Sequence, residues 1–457
     1  MNMQPKLQSL QQYFSTGVTR PYAFRKQQLK KLKASLYKYE EEIYTALYTD
    51  LKKSKEEVWI TETGFVLNEI SYALNNLSSW MEAESVGTNL LNFPSKSYTI
   101  AEPLGVVLII SPWNYPLQLL LTPLVGAIAA GNCVVVKPSE FAPATANIIK
   151  KIIIEIFEQQ YVLYTEGDGS IVIPAMMEAI KFDHIFYTGS TVVGKKIYKL
   201  AAETLTAVTL ELGGKSPCIV LEDANIAVAA RRIVITKFSN AGQMCVAPDY
   251  VLVHTNKKEK LIAALIEAII QFYGDDALQS YDYGKIINAN QFNRLVSYFK
   301  DGTIMYGGNY NEAALYIQPS IVTDIDLQSA IMQDEIFGPI LPIISFATFN
   351  EAKAIIDKNP NPLALYVFTS SSQQEKNWIE NIAFGGGCIN NASLHVTNHH
   401  LPFGGRGNSG IGAYHGKNTF ATFSHKKAIM KTPTWLDPNM KYPSFKGKLN
   451  FFRKFIK

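Results

Sequence analysis

Cys245, within FSNAGQMCVAPDY (residues 238–250), is the residue best suited to chemistry, because a thiol can act as a nucleophile. A thiol attacks carbon only as its thiolate, and at an ordinary pKa of about 8.5 only a few per cent is ionised at neutral pH. Something must therefore activate it. No histidine is near it in the sequence, so a cysteine–histidine pair of the protease type stays open as a contact between distant segments. The plain alternative is a small apolar residue packed in a loop.

A phosphate-binding turn is indicated by DHIFYTGSTVVGKKI (residues 183–197), in which a strand leads into GSTVVG and then into a helix. Gly189 and Gly194 predict a tight turn and a close approach to a ligand, and the free N–H groups at the start of a helix favour a phosphate. The middle glycine of a GxGxxG pattern is Thr191 here, so an ordinary strand-to-helix connection is the alternative.

Two further polar side chains stand where predicted elements end. Glu211, in VTLELGGKSP (residues 208–217), closes a strand, and a carboxylate there points into the crevice that binds ligands in a parallel sheet, which suits a general base. Asn114, in SPWNYP (residues 111–116), is in a rigid turn from which its amide can donate to an oxyanion, a contact worth about 10²–10³ in rate. A solvated glutamate and a turn asparagine bonded to its own backbone are the alternatives.

The elements that must position these groups follow two patterns. Residues 22–82 are rich in Lys, Glu, Leu, Tyr and Ala at helical spacing, which predicts an amphipathic helical layer. Buried strands that alternate with helices predict a parallel, doubly wound sheet. The runs that show this alternation are LGVVLII (104–110), CVVVK (133–137), YVLYT (161–165), DHIFYT (183–188), AVTLEL (207–212) and PCIVLE (217–222).

A second α/β unit is predicted after Cys245, where DYVLVHT, LPIISF (341–346) and LALYVFT (363–369) are strand candidates. KSYTIAEP (96–103) and the segment after residue 417 fit neither pattern, so we expect them to pair with each other or with another subunit. The fold class is therefore α/β, with two doubly wound Rossmann-like domains and a small β segment.

Length and composition favour a multidomain globular protein. The chain has 457 residues, 47% of them apolar, which is enough for the cores of two domains. Its 43 basic and 39 acidic residues leave a formal net charge of +4, too weak a field to imply nucleic acid as a partner. The four scattered cysteines indicate reduced thiols in a cytoplasm, and the polar amino terminus lacks a signal peptide's apolar core. Prolines interrupt the apolar stretch 104–130, which predicts a buried strand, a turn and a helix rather than a membrane span.

Together these stretches resemble the aldehyde dehydrogenase superfamily, and most closely its class-three type. The resemblance extends from FRKQQLKKL near residue 24 to TFSHKKA near residue 428. Its motifs occur in the family's order: SPWNYP, AAGNCVVVKPSE, FDHIFYTGSTVVGK, VTLELGGKSPC, GQMCVAPDY, DYGKIIN, IMQDEIFGPILPI, PLALYVF and LPFGGRGNSGIGAYHGK. Two positions depart from the pattern, Met244 where many relatives carry threonine and Arg406 in place of a small apolar residue. They bear on substrate choice rather than on the class of activity.

The resemblance implies a role for each site residue. Cys245 adds to the aldehyde carbon, the Asn114 amide and the Cys245 N–H hold the oxyanion, hydride passes to the nicotinamide, and Glu211 activates the water that hydrolyses the thioester. The residues implied at the cofactor, NAD or NADP, are Lys137, Glu140, Gly189, Ser190, Thr191, Val192, Val193, Gly194, Leu212, Gly213, Glu335 and Phe337. The residues implied at an apolar substrate tunnel are Trp113, Tyr115, Phe403 and His415. No metal is implied.

Activation of the thiol and the domain plan complete these expectations. Ala241 and Gly242 are expected to form a small, flexible turn that lets the thiol reach the shared bottom of a cofactor slot and a substrate tunnel, where burial and cofactor contact favour the thiolate. The predicted domains are a dinucleotide-binding domain (1–82 and 105–210), a catalytic domain (211–403), and an oligomerisation segment with the C-terminal tail (83–104 and 404–457). The resemblance implies a homodimer.

Two histidines, one further cysteine and the C-terminal tail are also candidate sites. His399 and His400 are expected in a loop at the tunnel mouth rather than at a metal, and Cys388 is expected to pack rather than to act as a second nucleophile. The tail KGKLNFFRKFIK (446–457) mixes basic and apolar side chains, so weak contact with an anionic membrane surface is an alternative to packing on a partner subunit or to disorder.

The aldehydes expected are apolar ones with medium or long aliphatic, aromatic or polyene chains. Glu140 would repel a 2′-phosphate and Lys137 would offset that repulsion, so the sequence leaves the choice between NAD and NADP open. A cysteine esterase or thioesterase on the same scaffold is the alternative function. A coenzyme-A-acylating enzyme is disfavoured because Glu211 is present, and a non-catalytic protein is disfavoured because the site residues are retained together.

Overall fold

The structure, a computed structural model, describes residues 3–455. Its helices are, in chain order, α1 (Gln4–Ser15), α2 (Tyr22–Lys38), α3 (Glu40–Leu51), α4 (Lys55–Val58), α5 (Gly64–Met81), α6 (Gln118–Ala130), α7 (Pro143–Ile156), α8 (Gly169–Ala179), α9 (Thr191–Glu203), α10 (Ile226–Phe238), α11 (Lys258–Tyr273), α12 (Ala289–Ser297), α13 (Ala330–Gln333), α14 (Phe349–Ile356), α15 (Ser372–Asn381), α16 (Lys417–Thr422) and α17 (Leu449–Phe455). A π-helical turn, Trp59–Thr63, joins α4 to α5.

The strands are, in chain order, β1 (Glu84–Val86), β2 (Lys96–Pro103), β3 (Val106–Ile110), β4 (Cys133–Lys137), β5 (Val162–Tyr164), β6 (His184–Thr188), β7 (Ala207–Glu211), β8 (Pro217–Val220), β9 (Tyr250–His254), β10 (Thr303–Tyr306), β11 (Tyr310–Asn311), β12 (Tyr316–Ile317), β13 (Ser320–Thr323), β14 (Ile340–Phe346), β15 (Ala364–Phe368), β16 (Gly386–Ile389), β17 (Gly410–Ile411) and β18 (Ser424–Lys431). They form sheets ordered β17-β7-β6-β3-β4-β5, β10-β13-β14-β9-β8-β15-β16, β1-β2-β18 and β11-β12. The α/β class with two doubly wound sheets is confirmed.

The predicted helical layer between residues 22 and 82 is confirmed as α2 to α5. Helix α5 shows why the pattern was readable: it buries Val66, Ile70, Ala73 and Leu77, which recur every three or four residues along one face. In this layer α2 and α5 pack against α6, and α3 packs against α7.

The first sheet has β3 in its middle, with β4 and β5 on one side and β6 and β7 on the other, all parallel. The strand order changes direction at β3, so a crevice opens at the carboxyl ends of β3 and β6. The loop 111–117 and the turn into α9 leave from these two ends. Strand β17, from the segment after residue 403, adds an antiparallel edge to β7.

The apolar stretch 104–130 forms the core of this sheet. Every residue of β3 and of α6 is buried, which explains the run of apolar residues without a membrane. The predicted strand, turn and helix are confirmed. Among the helices that lie between residues 3 and 455, none combines the length and the apolar character needed to cross a bilayer.

The second sheet includes the strand from PCIVLE (217–222), which the strand–helix alternation placed among the runs of the first sheet although the predicted catalytic domain (211–403) contains it. Strand β8 pairs with β9 and β15, not with β7, although it follows β7 closely in the chain. The crossing is made by residues 212–216, where Gly214 packs so tightly that a Cβ would lie 2.8 Å from the Leu363 nitrogen. A strand spacing read along the chain cannot show this change of sheet.

The third sheet joins the two segments that fit neither pattern. β2 and β18 pair antiparallel over their whole length, from Lys96 opposite Lys431 to Pro103 opposite Ser424. The expectation that these segments pair with each other is confirmed. The domain boundaries given above stay a prediction.

Candidate active site

Two cavities meet at Cys245. One has a volume of about 430 Å³ and mostly apolar walls, and we call it the apolar cavity. The other has a volume of about 690 Å³ and many polar walls, and we call it the polar cavity. The residues that line both are Leu119, Thr188, Glu211, Leu212 and Cys245. The thiol and the Glu211 carboxyl therefore face a ligand in either cavity.

The walls of the apolar cavity come from segments far apart in the chain. The π-helical turn and the start of α5 supply Ile60 and Phe65, α10 supplies Ile235, and the loops after β16 supply Leu394 and Phe403. Its lining favours an apolar chain that ends at the thiol.

The turn before Cys245 is left-handed and buried. Asn240 and Ala241 each have φ of 50° and Gly242 has φ of 76°, a region that favours glycine. A Cβ on Gly242 would lie 2.3 Å from the carbonyl oxygen of Gly338, so both space and φ require glycine there. The expected flexibility of this turn is replaced by burial and close packing.

Burial raises the pKa of the Cys245 thiol, and the Glu335 and Glu211 carboxylates raise this pKa further. The backbone N–H groups of Cys245 and Val246 lower it. The expectation that burial favours the thiolate is therefore wrong, because desolvation disfavours the charged form. Within residues 3–455 no histidine nitrogen is in hydrogen-bond contact with the Cys245 sulfur, so the open cysteine–histidine alternative does not apply.

Asn114 is buried in the loop between β3 and α6, and it is bonded to the cysteine turn. Its Nδ2 donates to the Gln243 carbonyl (3.1 Å), and its own carbonyl accepts from Asn240 Nδ2 (2.8 Å) and from Lys53 Nζ (3.0 Å). The amide nitrogen carries two N–H groups, so a second donor remains. Asn114 lines the polar cavity with Cys245. The alternative, a turn asparagine bonded to its own backbone, is therefore wrong.

Glu211 ends β7 directly beside Thr188, its register partner at the end of β6. It is 2% exposed, which excludes a solvated strand-end glutamate. In the described part of the chain, both of its carboxylate oxygens and the Thr188 hydroxyl are buried without a hydrogen-bond partner. Burial raises the pKa of Glu211 well above its usual value. Buried polar atoms normally have partners, so this site calls for water or a ligand.

The polar cavity fits a dinucleotide. Helix α9 begins in it, with Ser190 as N-cap and with Thr191 and Val192 in the lining. The first N–H groups of a helix have no partner within the helix, and they bind phosphate. A Cβ on Gly213 would lie 1.9 Å from Glu335 Oε2, so a glycine lets this half-buried carboxylate approach the backbone.

Most residues predicted at the cofactor line this cavity: Gly189, Ser190, Thr191, Val192, Leu212, Gly213, Glu335 and Phe337. The others, Lys137, Glu140, Val193 and Gly194, are outside its lining. Lys137 Nζ donates to Glu140 Oε2 (2.5 Å), and Glu140 Oε1 accepts the Gly169 N–H at the start of α8 (2.9 Å). This pair is at the carboxyl end of β4, next to β3 in the same sheet and on the side away from β6.

Gly189 and Gly194 are required by space rather than by backbone conformation. Neither has a positive φ. A Cβ on Gly189 would lie 2.3 Å from Tyr187 Oη, and a Cβ on Gly194 would lie 2.6 Å from Leu212 Cδ2. The predicted glycine turn is therefore a closely packed strand-to-helix junction.

Three of the four residues predicted at the substrate tunnel, Tyr115, Phe403 and His415, line the apolar cavity. Trp113 lines the polar cavity instead, with its ring 5.3 Å from that of Phe337. The prediction for Trp113 differs because loop 111–117 passes between the two cavities. His415 stacks on Phe403 at 5.2 Å, and burial lowers its pKa to about 3, so its imidazole is neutral.

The residues that support the Glu335 segment were not predicted from the sequence. Lys215 Nζ and Asp249 form a buried ion pair (2.5 Å), and Asp249 accepts the Ile336 N–H (2.8 Å). Arg294 donates to the Ile336 carbonyl (2.8 Å). Lys215 and Asp249 stand inside the quoted motifs GGKSP and APDY, which was the available signal.

The remaining candidates, Cys388, His399 and His400, are outside the lining of both cavities. Cys388 Sγ is 3.6 Å from His395 Nδ1, and His399 stacks on Tyr72 at 3.9 Å. Within residues 3–455 no group of three or more His, Cys, Asp or Glu side chains has a geometry that could hold a metal ion.

The comparisons with known proteins agree with this geometry. The model of the aldehyde dehydrogenase family matches residues 8–429. The chain is 46% identical over 447 residues to the 4,4'-diaponeurosporen-aldehyde dehydrogenase of Staphylococcus aureus, with 97% of each sequence covered. It is 43% identical over 440 residues to the dimeric NADP-preferring aldehyde dehydrogenase of Canis lupus familiaris, with 95% of this chain and 96% of that relative covered.

A solved structure extends the likeness to the whole chain. The substrate-bound state of Staphylococcus aureus AldH superposes with a TM-score of 0.97 at 45% identity and covers 100% of both chains. The match of a family model over most of the sequence, the two relatives and this structure lead to one conclusion: the chain belongs to the aldehyde dehydrogenase family.

Proposed function

We propose that this enzyme oxidises apolar aldehydes to carboxylic acids with NAD or NADP, through a thioester on Cys245. The observation that carries the proposal is that Cys245 and Glu211 line the apolar and the polar cavity at once. An apolar aldehyde and a dinucleotide would therefore meet at one thiol, with a carboxyl beside them.

The polar cavity would hold the dinucleotide. The free N–H groups at the start of α9 suit its pyrophosphate, and Glu335, beside Phe337, suits a ribose hydroxyl because a carboxylate accepts hydrogen bonds. Lys137 and Glu140 suit the second ribose further along the edge of the sheet. When bound, NAD(P) supplies the acceptor for the hydride that leaves the aldehyde carbon.

Cys245 would attack the aldehyde carbon as a thiolate, forming a carbon–sulfur bond and leaving the aldehyde oxygen as an anion. The remaining N–H of Asn114 Nδ2 and the Cys245 backbone N–H would receive that anion. Burial raises the pKa of the thiol and the Cys245 backbone N–H lowers it, so the same backbone donor that would receive the oxyanion also favours the thiolate.

Glu211 would act on the second step. Its carboxylate oxygens are buried and have no partner in the described residues, so a water between Glu211 and the thioester would satisfy them. By accepting a proton from that water, Glu211 would direct hydroxide at the thioester carbon and release the acid and the free thiol.

The substrate proposed is a long apolar aldehyde, and a polyene aldehyde is included. The apolar lining of the cavity supports it. So does the name of the relative from Staphylococcus aureus, a 4,4'-diaponeurosporen-aldehyde dehydrogenase that is 46% identical to this chain.

The test follows nicotinamide reduction by the purified protein with aldehydes of increasing chain length, and with NAD and NADP in separate assays. We expect cysteine-dependent reduction with kcat/KM rising with chain length, and none with Cys245→Ala. Absence of reduction together with cysteine-dependent ester hydrolysis would move the assignment to the second candidate, a cysteine esterase. That candidate is favoured by one observation, that Cys245 and Glu211 both face the apolar cavity.

We further propose a cytoplasmic homodimer. The four free thiols fit a reducing compartment, and the name of the dimeric relative from Canis lupus familiaris supports two subunits. Exposed apolar residues near the three-stranded sheet, Leu90, Phe93 and Trp435, suit a subunit contact. Light scattering would give the mass of two chains if this is right and of one chain if it is not.

Weak contact of the tail with a membrane surface is also proposed. Leu449 and Phe451 are exposed beside Arg453 and Lys454, while Ile456 is outside the described residues. Exposed apolar side chains among cations suit an anionic surface. Full-length protein should sediment with anionic liposomes more than a variant that ends at residue 445, and equal sedimentation would remove the idea.

A further inference from the structure

A buried ion pair is directly beneath the loop that carries Asn114. Lys53 connects α3 to α4 and Glu62 belongs to the π-helical turn; neither side chain has exposed surface, and Lys53 Nζ is 2.7 Å from Glu62 Oε1. Removing two charges from water costs free energy that their attraction need not repay. A stabilising role alone therefore does not account for the pair.

Both charges bind the Asn114 loop. Lys53 Nζ donates to the Asn114 carbonyl (3.0 Å). Glu62 Oε2 accepts the N–H groups of Leu117 (3.1 Å) and Gln118 (2.8 Å), where the loop ends and α6 begins. The pair thus fixes the middle and the end of the loop to one another.

Lys53 also supports the residue that follows Asn114. Its ammonium group lies 3.8 Å from the centre of the Tyr115 ring, a cation–π contact whose strength increases when water is excluded. Tyr115 lines the apolar cavity. The ammonium group therefore contacts one residue that lines the polar cavity, Asn114, and one that lines the apolar cavity, Tyr115.

The same helical segment holds the cysteine turn. Glu57 Oε1, in α4, accepts the N–H of Asn240 (2.9 Å), the left-handed residue that begins the turn to Cys245. Asn240 Nδ2 in turn donates to the Asn114 carbonyl (2.8 Å), which is the acceptor that Lys53 uses. The Asn114 carbonyl is therefore the point at which the two loops and Lys53 meet.

We propose that Lys53 is a positioning residue for the oxyanion site, which keeps the Asn114 amide at the correct distance from the Cys245 thiol. The proposal rests on the roles proposed above for Asn114 and Cys245. Lys53 itself touches neither substrate nor cofactor. Its effect must therefore pass through the loop, by way of Asn114 or Tyr115, and a test can measure the part that passes through Asn114.

The experiment is a double-mutant cycle of Lys53→Met and Asn114→Ala, read as kcat with a long-chain aldehyde and saturating cofactor. With Asn114 present, Lys53→Met should lower kcat about 10- to 100-fold, less than the about 10²–10³-fold for outright loss of one oxyanion donor, because the donor is displaced rather than removed. In the Asn114→Ala background the same substitution should change kcat less than about threefold, because residues that act as a unit are not additive. KM for the aldehyde should change less than kcat.

Two variants separate positioning from folding. Lys52→Met is the matched control, since Lys52 also donates to backbone carbonyls, those of Leu278 (2.9 Å) and Ser280 (3.2 Å), but away from the loop. It should keep the kcat of the unaltered enzyme. Lys53→Met/Glu62→Gln removes both charges and serves as the folded form if Lys53→Met alone is unstable. Its kcat should stay low.

Each outcome decides one claim. Equal losses for Lys53→Met in both backgrounds, or a normal kcat for Lys53→Met/Glu62→Gln, would overturn the positioning role and leave the proposed function standing. A normal kcat for Asn114→Ala would instead overturn the proposed oxyanion role. Non-additive losses with a normal Lys52→Met enzyme would support both.

Discussion

The two cavities that meet at Cys245 are built in different ways. The polar cavity is formed by strand ends, the first turn of α9 and closely packed backbone, with Gly213 against Glu335 as its tightest point. The apolar cavity is formed almost entirely by side chains that come from distant helices and loops, among them Ile60 and Ile235.

This difference indicates which cavity tolerates substitutions and which does not. A dinucleotide is recognised by backbone N–H groups and by glycines that leave room, so few substitutions are tolerated there. An aldehyde chain is recognised by apolar area, and any apolar residue of similar size supplies that. We expect changes in the polar cavity to act on the cofactor and changes in the apolar cavity to act on chain length.

Cys245→Ala should abolish the chemistry of both cavities, because the thiol lines both of them. We expect loss of aldehyde oxidation and of ester hydrolysis by about 10⁴-fold or more, the scale on which loss of a nucleophile acts. Stopped assays of both activities would measure it. Cys388→Ala is the control, since Cys388 lies beside His395 and lines neither cavity. Residual turnover near that of the control would exclude Cys245 as the nucleophile.

Glu211→Gln should separate the two half-reactions at this junction. Steady-state kcat should fall about 10²–10³-fold because the general base is lost, while one equivalent of nicotinamide is still reduced in a rapid burst. Rapid-mixing absorbance with aldehyde and cofactor in excess over active sites measures that burst. A variant without a burst would show that Glu211 is needed before the thioester forms.

The pH dependence of the second step gives the same residue a separate test. Burial raises the pKa of Glu211, and a base must be deprotonated to act, so kcat should rise with pH through a value above the ordinary pKa of about 4.5. In Glu211→Gln that rise should be absent. A profile with the same rise in both enzymes would assign it to another group.

The polar cavity was largely predictable from the sequence, and the same contrast explains why. Its residues are short motifs at strand ends, such as GSTVVG and LGG, in which local order along the chain sets position in space. Glu211, Gly213 and Glu335 were found in this way, and they line the cavity. Lys137 and Glu140 were also named, but they lie further along the edge of the sheet, beyond the lining.

The apolar cavity and the buried charges that support the Asn114 loop were harder to predict from the sequence. Trp113 was assigned to the wrong cavity, because a loop that runs between two cavities gives no sign in sequence of the side that each residue faces. Lys53 and Glu62 belong to the Lys- and Glu-rich region 22–82, whose pattern gave no sign that these two charges are buried. The expected activation by burial failed for a physical reason: desolvation raises the pKa of the Cys245 thiol.

Gly213→Ala should weaken cofactor binding in the polar cavity and leave the apolar cavity unaffected. A Cβ there would lie 1.9 Å from Glu335 Oε2, so the carboxylate must move, and we expect KM for NAD or NADP to rise about tenfold, the effect of about 1.4 kcal/mol. KM for the aldehyde should change little. Gly87→Ala is the control, because no atom lies within 4 Å of a Cβ at that position. Equal shifts in both KM values would contradict a division of labour between the cavities.

Ile60→Ser should affect only the apolar cavity, and its effect on activity should be the smallest of the series. Ile60 lines the apolar cavity yet is 71% exposed, so it marks the mouth, which only a long chain reaches. Each buried methylene is worth about 0.8 kcal/mol, so kcat/KM for long aldehydes should fall about 3- to 10-fold, with short aldehydes and cofactor KM unaffected.

The measurement for Ile60 is a plot of log kcat/KM against chain length for the unaltered enzyme, Ile60→Ser and a control. Ile304→Ser is matched, because Ile304 is 42% exposed on β10 and lines neither cavity. The three lines should coincide for short chains and separate only for Ile60→Ser once the chain is long enough to reach the mouth. A uniform drop at every length would mean that Ile60 affects the thiol end of the cavity, and the mouth would then have to be sought at Ile235 and Leu394.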